Sequence, residues 1–140
     1  MFVPHKSCMQ FEGYRFDAIH FELTQGLDQN AKYELSPTFS KTVTAQNENI
    51  EVQLSLNIES TPDNPVPFSL HIAMSGKFVL TMAQEDDKLR KQLMNENTVA
   101  IMFPFLRSAV ATLTTTANFP PLILPVVNLS TLFAQTEGEG

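Results

Sequence analysis

The C-terminal part of the chain carries the pattern that decides its fold. From Met102 to Phe133 it reads MFPFLRSAVATLTTTANFPPLILPVVNLSTLF. A loop rich in proline and aliphatic residues divides this segment, and Asn128 then suits the cap of a short helix from Leu129 to Gln135. Before the loop, apolar residues recur at the spacing of three or four that indicates an amphipathic helix: Val99, Met102, Phe103, Leu106, Val110, Leu113 and Ala117.

Two segments in the middle of the chain have the alternation of half-buried β-strands. Ile50 to Ile58 alternates apolar and polar residues without interruption, which predicts one buried and one wet face. Phe68 to Leu80 has the same period, with Gly76 as a candidate bulge. The connection between them contains three prolines and predicts a turn.

Two further strands are predicted nearer the N-terminus. Met9 to Leu23 changes the parity of its apolar residues, which requires a bulge or bend near Asp17-Ala18. Tyr33 to Ala45 is a second extended segment, and Pro37 belongs at its start or on an edge because proline cannot donate a ladder hydrogen bond.

The pattern becomes helical from Gln84, with a break expected at residues 95–97. Pro104 either kinks the following helix or marks its first turn. The run Thr114-Thr115-Thr116 is a poor helix interior and predicts fraying before Asn118. Strands followed by helices predict an α+β domain: a four-stranded antiparallel β-meander with C-terminal helices packed on one face. We expect a single domain over residues 1–140, with flexible ends at 1–8 and 134–140.

Composition limits the kinds of partner. The chain has 140 residues, of which 17% are charged, below the roughly 25% of typical soluble proteins. Few charges predict apolar surface that a partner covers or that serves in binding, although a larger core in a monomer would give the same composition. The net charge of −6 disfavours nucleic acid as a partner, because phosphate binding needs clustered Lys and Arg.

The cellular compartment that we expect follows from features that the sequence lacks. The single cysteine, Cys8, excludes an intrachain disulfide and fits a reducing compartment. No window reaches the roughly 18 apolar residues of a membrane span, and the N-terminus lacks the apolar core of a signal peptide. We therefore expect a cytoplasmic protein without membrane insertion.

Residues able to carry catalysis are scattered. Sheet pairing could bring His20 and His71 together, but neither lies at metal-ligand spacing, and solvated strand positions are the better interpretation. The acidic run from Glu85 to Asp87 suits a helix N-terminus. No nucleophile-elbow or phosphate-loop motif is present. The sequence predicts no enzyme, no metal and no cofactor.

The order of short motifs resembles the SecB family of protein-export chaperones. In that family a helix opening with Phe-Pro-aromatic-x-Arg precedes a Phe-Pro-x-Leu-x-Leu loop with Pro and Val-Asn, and a last helix carries Leu-Phe. Shorter upstream matches are Ile19-His20-Phe21-Glu22 and Leu35 to Phe39. The C-terminal matches are Phe103-Pro104-Phe105 with Arg107, Phe119-Pro120, Leu122, Leu124, Pro125, Val127-Asn128 and Leu132-Phe133.

The resemblance implies a homotetrameric holdase, a dimer of dimers. It would keep unfolded preproteins translocation-competent and deliver them to the SecA motor without nucleotide or metal. Glu22 matches the acidic patch for SecA, whereas Ala18 and His71 stand where acids are usual. Lys41 falls where the family tends to be apolar. The resemblance implies a groove for unfolded polypeptide with an aromatic subsite at Phe68, Phe105 and Phe133, where Leu35 replaces a tryptophan. A flatter apolar subsite would include Phe39 and Val43, and Leu70 completes the expected binding residues.

Two alternatives stay open at this point. Some SecB-like proteins serve one client, such as the antitoxin of a toxin–antitoxin pair, and such a protein would show little general anti-aggregation activity. A different class of function is a small-ligand carrier or a structural oligomer, which would ignore unfolded chains.

Overall fold

The computed structural model describes residues 9–28, 31–81 and 87–124, and shows an antiparallel sheet followed by one long helix. The helix consists of α1 (Asp87–Gln92), a π-helical turn (Leu93–Asn97) and α2 (Thr98–Thr116). The strands are β1 (Met9–Leu23), β2 (Thr38–Gln46), β3 (Asn49–Ile58) and β4 (Phe68–Leu80). The predicted α+β class, with four antiparallel strands and a helix on one face, is confirmed.

The order of the strands is β1-β4-β3-β2, so the predicted meander holds for β2 to β4 but not for β1. β1 pairs with β4 along its whole length rather than with β2, its neighbour in sequence. β1 has 15 residues and β4 has 13, whereas β2 has 9, so β4 offers the longer ladder. The connection over residues 24–37 is too long to restrict β1 to a hairpin. This Greek-key order makes β1 and β2 the edge strands.

The core lies between the sheet and α2. The alternation predicted for β3 is confirmed: Ile50, Val52, Leu54, Leu56 and Ile58 are buried. Their partners on β4 and the inner residues of α2 are buried as well, namely Leu70, Ile72, Met74, Phe78, Val99, Met102, Phe103, Leu106 and Val110.

The expectation of a bulge at Gly76 is wrong. Pairing runs through Gly76 without a shift, opposite Tyr14 on one side and Val52 on the other. An added Cβ at Gly76 would lie 2.7 Å from the Sδ atom of Met102. The glycine therefore serves the close approach of α2 to the sheet rather than the path of β4.

Two bulges in β1 bring its apolar residues to one face. The predicted irregularity is present between Phe16 and Ala18, and a second one lies between Phe11 and Gly13. Glu12 and Asp17 are the extra residues, and each shifts the side-chain parity by one position. The residues opposite the buried face of β4 are then all apolar: Met9, Phe11, Tyr14, Phe16, Ile19, Phe21 and Leu23.

The second predicted strand starts later than expected. β2 begins at Thr38, directly after Pro37, as the proline suggested. Residues 33–37 have no strand pairing, because Pro37 cannot donate to a ladder.

The break expected at residues 95–97 is a π-helical turn, and the helix continues through it. Thr98 stabilises this change, since its hydroxyl donates to the carbonyl of Met94 at 2.7 Å. Pro104 lies inside α2 and is exposed, so it does not begin the helix. Pro104 has no N–H, so the carbonyl of Ala100 lacks the donor that it would have in a regular helix. This carbonyl is on the solvent side, where water can reach it.

This helix qualifies by length and composition as a membrane-crossing segment, which the sequence alone did not suggest. It runs over 30 residues from Asp87 to Thr116. One side of it is buried against the sheet through Met102, Leu106 and Val110, as the core helix of a globular domain would be.

The end of the helix is more regular than expected. The hydroxyls of Thr115 and Thr116 donate to carbonyls four residues earlier, and the helix continues to Thr116 without fraying. Asn118 then adopts φ 69°, the left-handed conformation that commonly terminates a helix. The predicted helix from Leu129 to Gln135 lies outside the described residues.

Candidate functional site

The helix leaves the two edges of the sheet partly uncovered. It lies over β3 and β4, the central strands. The helix-side faces of β1 and β2 extend beyond it on either side. We call these two surfaces the β1 row, defined by its seven apolar residues from Met9 to Leu23, and the β2 strip, formed by Phe39, Lys41, Val43 and Ala45.

The β1 row combines aromatic packing with exposure. Phe105 of α2 stacks on Tyr14 with a ring-centroid distance of 4.3 Å, and Phe11 lies 5.1 Å from Phe78. Tyr14, Ile19 and Leu23 nevertheless remain 44%, 52% and 40% exposed. A continuous apolar row of this kind on an edge strand is typical of a surface that another chain covers.

The β2 strip is mixed in chemistry. Phe39 is buried and its ring lies 6.2 Å from that of Phe103, whereas Val43 is half-buried. Lys41 lies between them on the helix-side face, opposite the buried Leu54. Its Nζ donates to the carbonyl of Asn95 in the π-helical turn at 3.0 Å.

Phe68 and Leu70 lie at the start of β4 and belong to the core. Phe68 is buried between Phe21 and Phe119, at centroid distances of 5.0 and 5.3 Å. Leu70 is buried beside it on the same face. Both can form the floor of a binding surface, but neither presents much area to a ligand.

The structure separates the residues that the resemblance grouped into one site. Phe105 contacts β1 near Tyr14, which pairs with Gly76, eight positions along β4 from Phe68. Because each strand residue advances about 3.3 Å, eight positions separate the contact of Phe105 from Phe68 by about 26 Å along the sheet. Phe39 and Val43 lie on the helix-side face of β2, and Leu35 precedes that strand. Phe133 is outside the described residues, so its predicted place beside Phe68 and Phe105 stays a prediction.

The loop after α2 folds back along the helix and is fixed by two side chains of α2. The Nε of Arg107 donates to the carbonyl of Leu124 at 2.7 Å. The buried Thr114 accepts the backbone N–H of Leu122 at 2.9 Å. Leu124 is therefore buried and Leu122 half-buried, while Ile123 between them is 59% exposed. These contacts explain why the C-terminal motif contains Arg107 and the two leucines, Leu122 and Leu124.

The other face of the sheet is polar and carries a charged network. Ser75, itself buried, donates to one carboxylate oxygen of Asp17 at 2.5 Å, and the Nε of Arg15 donates to the other at 2.7 Å. Arg15 also reaches Glu51 at 3.5 Å. The hydrogen bond from Ser75 lowers the pKa of Asp17; partial burial opposes this, and Arg15 adds to the lowering. The network holds the second bulge of β1.

The polar face also carries the residue predicted to contact SecA. Glu22 is exposed and lies 3.5 Å from His20. His20 stands directly opposite His71, whose Nδ1 is 2.8 Å from the side-chain oxygen of Asn57. His71 also borders an open hollow of about 360 Å³, which residues of all four strands line, among them Arg15, Asp17 and Gln53.

The sheet does bring the two histidines together, as pairing allowed. Within residues 9–28, 31–81 and 87–124, however, no three His, Cys, Asp or Glu side chains are grouped to hold a metal ion. His20 is exposed and His71 is half-buried on the polar face of the sheet.

A comparison of sequences identifies the family to which the chain belongs. Residues 20–139 match the sequence family described as preprotein translocase subunit SecB. The chain belongs to the SecB family. The match covers the last part of β1, the other three strands and the whole helix, so the family assignment concerns the same layers that form the site.

Individual relatives differ in how much of their length they share with the chain. It is 33% identical to the protein-export protein SecB of Anaplasma phagocytophilum over 64% of its own length, and spans 57% of that relative. It is 30% identical to an uncharacterised protein of Methanocaldococcus jannaschii, with 98% of this chain and 90% of the relative covered.

A solved SecB-like structure shares the fold. It is the SecB-like chaperone of Mycobacterium tuberculosis in complex with a ChAD peptide from an antitoxin. The TM-score is 0.68 at 15% identity, over 85% of this chain and 90% of the other. The similarity supports the SecB-like fold.

Three residues of the candidate site were not identified from the sequence. Tyr14 was assigned to β1 but not to the site, because only the pairing of β1 with β4 brings it to Phe105. Thr114 was interpreted as part of a fraying helix end. Lys41 was noticed as a departure from the family, but its bond to the π-helical turn could not be foreseen.

Proposed function

We propose that this protein is a holdase chaperone that binds non-native polypeptides and keeps them competent for export. The observation that carries the proposal is the apolar helix-side surface of the two edge strands, which the helix leaves partly uncovered. Membership of the SecB family supports it, because that family is described as a subunit of preprotein translocase.

Edge strands suit unfolded clients for a physical reason. An extended segment can pair with the free backbone groups of an edge strand and place alternate side chains against the helix-side face. Apolar burial contributes roughly 25 cal/mol per Å². Affinity then accumulates over a long client, whereas a folded protein hides the segments that would bind.

We assign clients to the β2 strip with Leu35 and to the surface around Phe105. Val43 and Phe105 are half-buried, so both can contact a client without unfolding the core. Phe39, Phe68 and Leu70 support this surface from below.

In this proposal, self-association belongs to the end of the β1 row that lies away from Phe105. The exposed Ile19 and Leu23 lie there on one face of an edge strand and need cover in water. This surface supports the homotetramer that the resemblance implied, with β1 of each chain in an interface.

In this proposal, a SecA-type motor contacts the polar face of the sheet. Glu22 offers one exposed carboxylate on the polar face, next to His20 and near His71. Arg15 pairs with Asp17 and approaches Glu51, which reduces the negative field of that face.

A second candidate is a dedicated chaperone of one client. The similarity of fold to a SecB-like chaperone solved with an antitoxin peptide favours this possibility. A dedicated chaperone would bind its own client tightly and bind other unfolded chains weakly. The alternative of a small-ligand carrier or structural oligomer predicts no binding of unfolded chains at all.

Native mass spectrometry tests the proposal. The protein is mixed with a permanently unfolded, apolar-rich polypeptide, and the folded form of that polypeptide is the control. We expect an oligomer of the 15.7 kDa chain that takes up only the unfolded form. An oligomer that ignores both forms would contradict a general holdase and leave the dedicated chaperone or the structural oligomer.

Matched variants locate the surface. Val43→Asp and Phe105→Asp should each weaken binding of the unfolded polypeptide by roughly tenfold or more, because a carboxylate resists burial against an apolar ligand. Thr42→Asp and Ser108→Asp are the controls: they add the same charge at exposed neighbouring positions. If Val43→Asp and Phe105→Asp weaken binding no more than the two control variants do, the assignment of clients to this surface is wrong.

A further inference from the structure

The first third of the long helix packs differently from the rest of it. α2 buries seven side chains, whereas no side chain of α1 or of the π-helical turn is buried. Leu93 and Met94 are half-buried against the core, and Leu89 is 40% exposed. Segments with few buried apolar contacts open at a low cost in free energy. Residues 87–97, which we call the strap, therefore belong to the less stable part of the fold.

The strap meets α2 at the π-helical turn. There the N–H of Thr98 donates to the carbonyl of Leu93, one residue further back than in an α-helix. The carbonyl of Met94 thereby loses its usual donor, and the hydroxyl of Thr98 replaces it at 2.7 Å. Thr98 is fully buried, so burial of the helix begins at this residue. A π-helical turn at such a boundary is a site where a helix can bend.

Two long side chains connect the strap to the edge of the sheet that carries the β2 strip. The guanidinium of Arg90 donates to the carbonyl of Asn47, in the turn between β2 and β3, at 3.2 Å. The Nζ of Lys41 donates to the carbonyl of Asn95 at 3.0 Å. Between these two points β2 places Val43 and Ala45 on its helix-side face. The strap therefore lies along the part of the β2 strip that is nearest to the turn.

We infer that the strap is a gate on the β2 strip, which lifts at the π-helical turn before a client segment can lie on Val43. The inference rests on the proposed function and adds its regulation. Val43 is half-buried with the strap in place. A client segment on the same face needs space that the strap borders, so it binds the open form better. Its apparent dissociation constant is then the intrinsic constant divided by the open fraction.

The kind of bond that holds the strap suits a gate. A hydrogen bond from a side chain to an accessible carbonyl contributes modestly to stability, since water can replace either partner. Loss of one such bond should multiply the open population severalfold and leave α2 folded on its seven buried side chains. The same factor should appear in hydrogen exchange of the strap and in client affinity, because both depend on the open population.

Arg90→Ala tests the gate. We expect hydrogen exchange of residues 87–97 to increase about threefold, the effect of one modest hydrogen bond. The affinity for a permanently unfolded, apolar-rich polypeptide should increase by the same factor, measured by fluorescence anisotropy of the labelled polypeptide. Lys88→Ala is the control, since it removes a charge from an exposed position of the same helix. It should change neither quantity, and circular dichroism verifies that each variant is folded.

A crosslink tests the closed form. Glu48 lies beside Asn47 in the turn and is exposed. Glu48→Cys and Arg90→Cys are combined and joined by a flexible bismaleimide. Cys8 is the single cysteine of the chain, and Cys8→Ser leaves the two introduced thiols as the reactive ones. Before crosslinking, this variant should bind the polypeptide as tightly as Arg90→Ala does. After crosslinking, we expect binding to weaken by about fivefold or more.

Each outcome bears on the inference. If exchange of residues 87–97 rises in Arg90→Ala while client affinity stays at the wild-type value, the gate is overturned and the holdase proposal stands. Equal binding before and after crosslinking would overturn the gate in the same way. Unchanged exchange in Arg90→Ala would overturn the role of Arg90 in holding the strap. If the wild type and all variants fail to bind the unfolded polypeptide, the proposed function falls and the gate falls with it.

Discussion

Gly76 illustrates how one residue fixes the distance between the sheet and the helix. A Cβ at this position would lie 2.7 Å from Sδ and 3.2 Å from Cγ of Met102, which is itself fully buried. We expect Gly76→Ala to lower the free energy of unfolding by about 1–3 kcal/mol, because the core has no room for the extra methyl group. Urea denaturation measures this change.

A double-mutant cycle gives the control for Gly76. In Gly76→Ala/Met102→Ala the shortened side chain removes the clash, so the two losses should not add. Additive losses would show that the contact does not explain the glycine.

Asp17 makes stability depend on pH. Its hydrogen bond from Ser75, with the help of Arg15, lowers its pKa in the folded protein below the ordinary value of 3.8. The unfolded chain therefore binds a proton more readily, and the contribution of Asp17 is present above pH 4 and is lost as the pH falls below it. We expect the wild type to lose stability more steeply than Asp17→Asn as the pH falls below about 4.

The comparison variant for the pH series is Glu59→Gln, which removes an exposed carboxylate just after β3. Its pH profile, followed by urea denaturation at each pH, should stay close to that of the wild type. Equal slopes in wild type and Asp17→Asn would contradict the assignment to Asp17.

The loop after α2 shows how an element without regular structure is held in place. Arg107 and Thr114 bind the backbone of Leu124 and Leu122, and apolar side chains of the loop then enter the core. A proline-rich segment has few donors of its own, so hydrogen bonds from the helix determine its path.

We therefore expect Arg107→Ala to increase hydrogen exchange of residues 118–124 and to cost about 1–3 kcal/mol of stability, the penalty of an unsatisfied carbonyl. Arg90→Ala, which removes a hydrogen bond to a turn carbonyl elsewhere, should leave exchange in this loop unchanged. Hydrogen exchange read by mass spectrometry distinguishes the two. Unchanged exchange in Arg107→Ala would show that apolar packing alone holds the loop.

At the scale of the whole molecule, the two edges of one sheet are assigned different partners. The β1 row is uniformly apolar and has three substantially exposed residues, which suits a second copy of the chain. The β2 strip carries a charge and suits a varied ligand.

Self-association through the β1 row can be tested at one residue. Ile19→Lys should shift the protein toward smaller species in sedimentation velocity, because the side chain is 52% exposed in the single chain and would be buried in an interface. His20→Lys places the same group on the opposite face of β1 and should leave the oligomer unchanged. Equal effects of the two substitutions would exclude the β1 row as the interface.

The sequence by itself determined much of the fold. The uninterrupted alternation of apolar and polar residues in β3 can be recognised in the sequence because one face of the strand packs on the helix and the other meets water. The bounds of β3 were predicted to within one residue. The parity change in β1 likewise revealed one of its two bulges, and the motifs of the C-terminal segment indicated the family. These are local patterns, and local chemistry is sufficient to produce them.

Only the tertiary structure decided how these elements meet. β1 pairs with β4 because a long connection leaves the choice of neighbour to the length and apolar match of the strands, which no local pattern encodes. That pairing places Tyr14 on Phe105 and separates Phe105 from Phe68. Lys41 and Gly76 acquire their roles from a helix that is distant in sequence but close in space, so their significance depends on packing and could not be predicted from their neighbours in the chain.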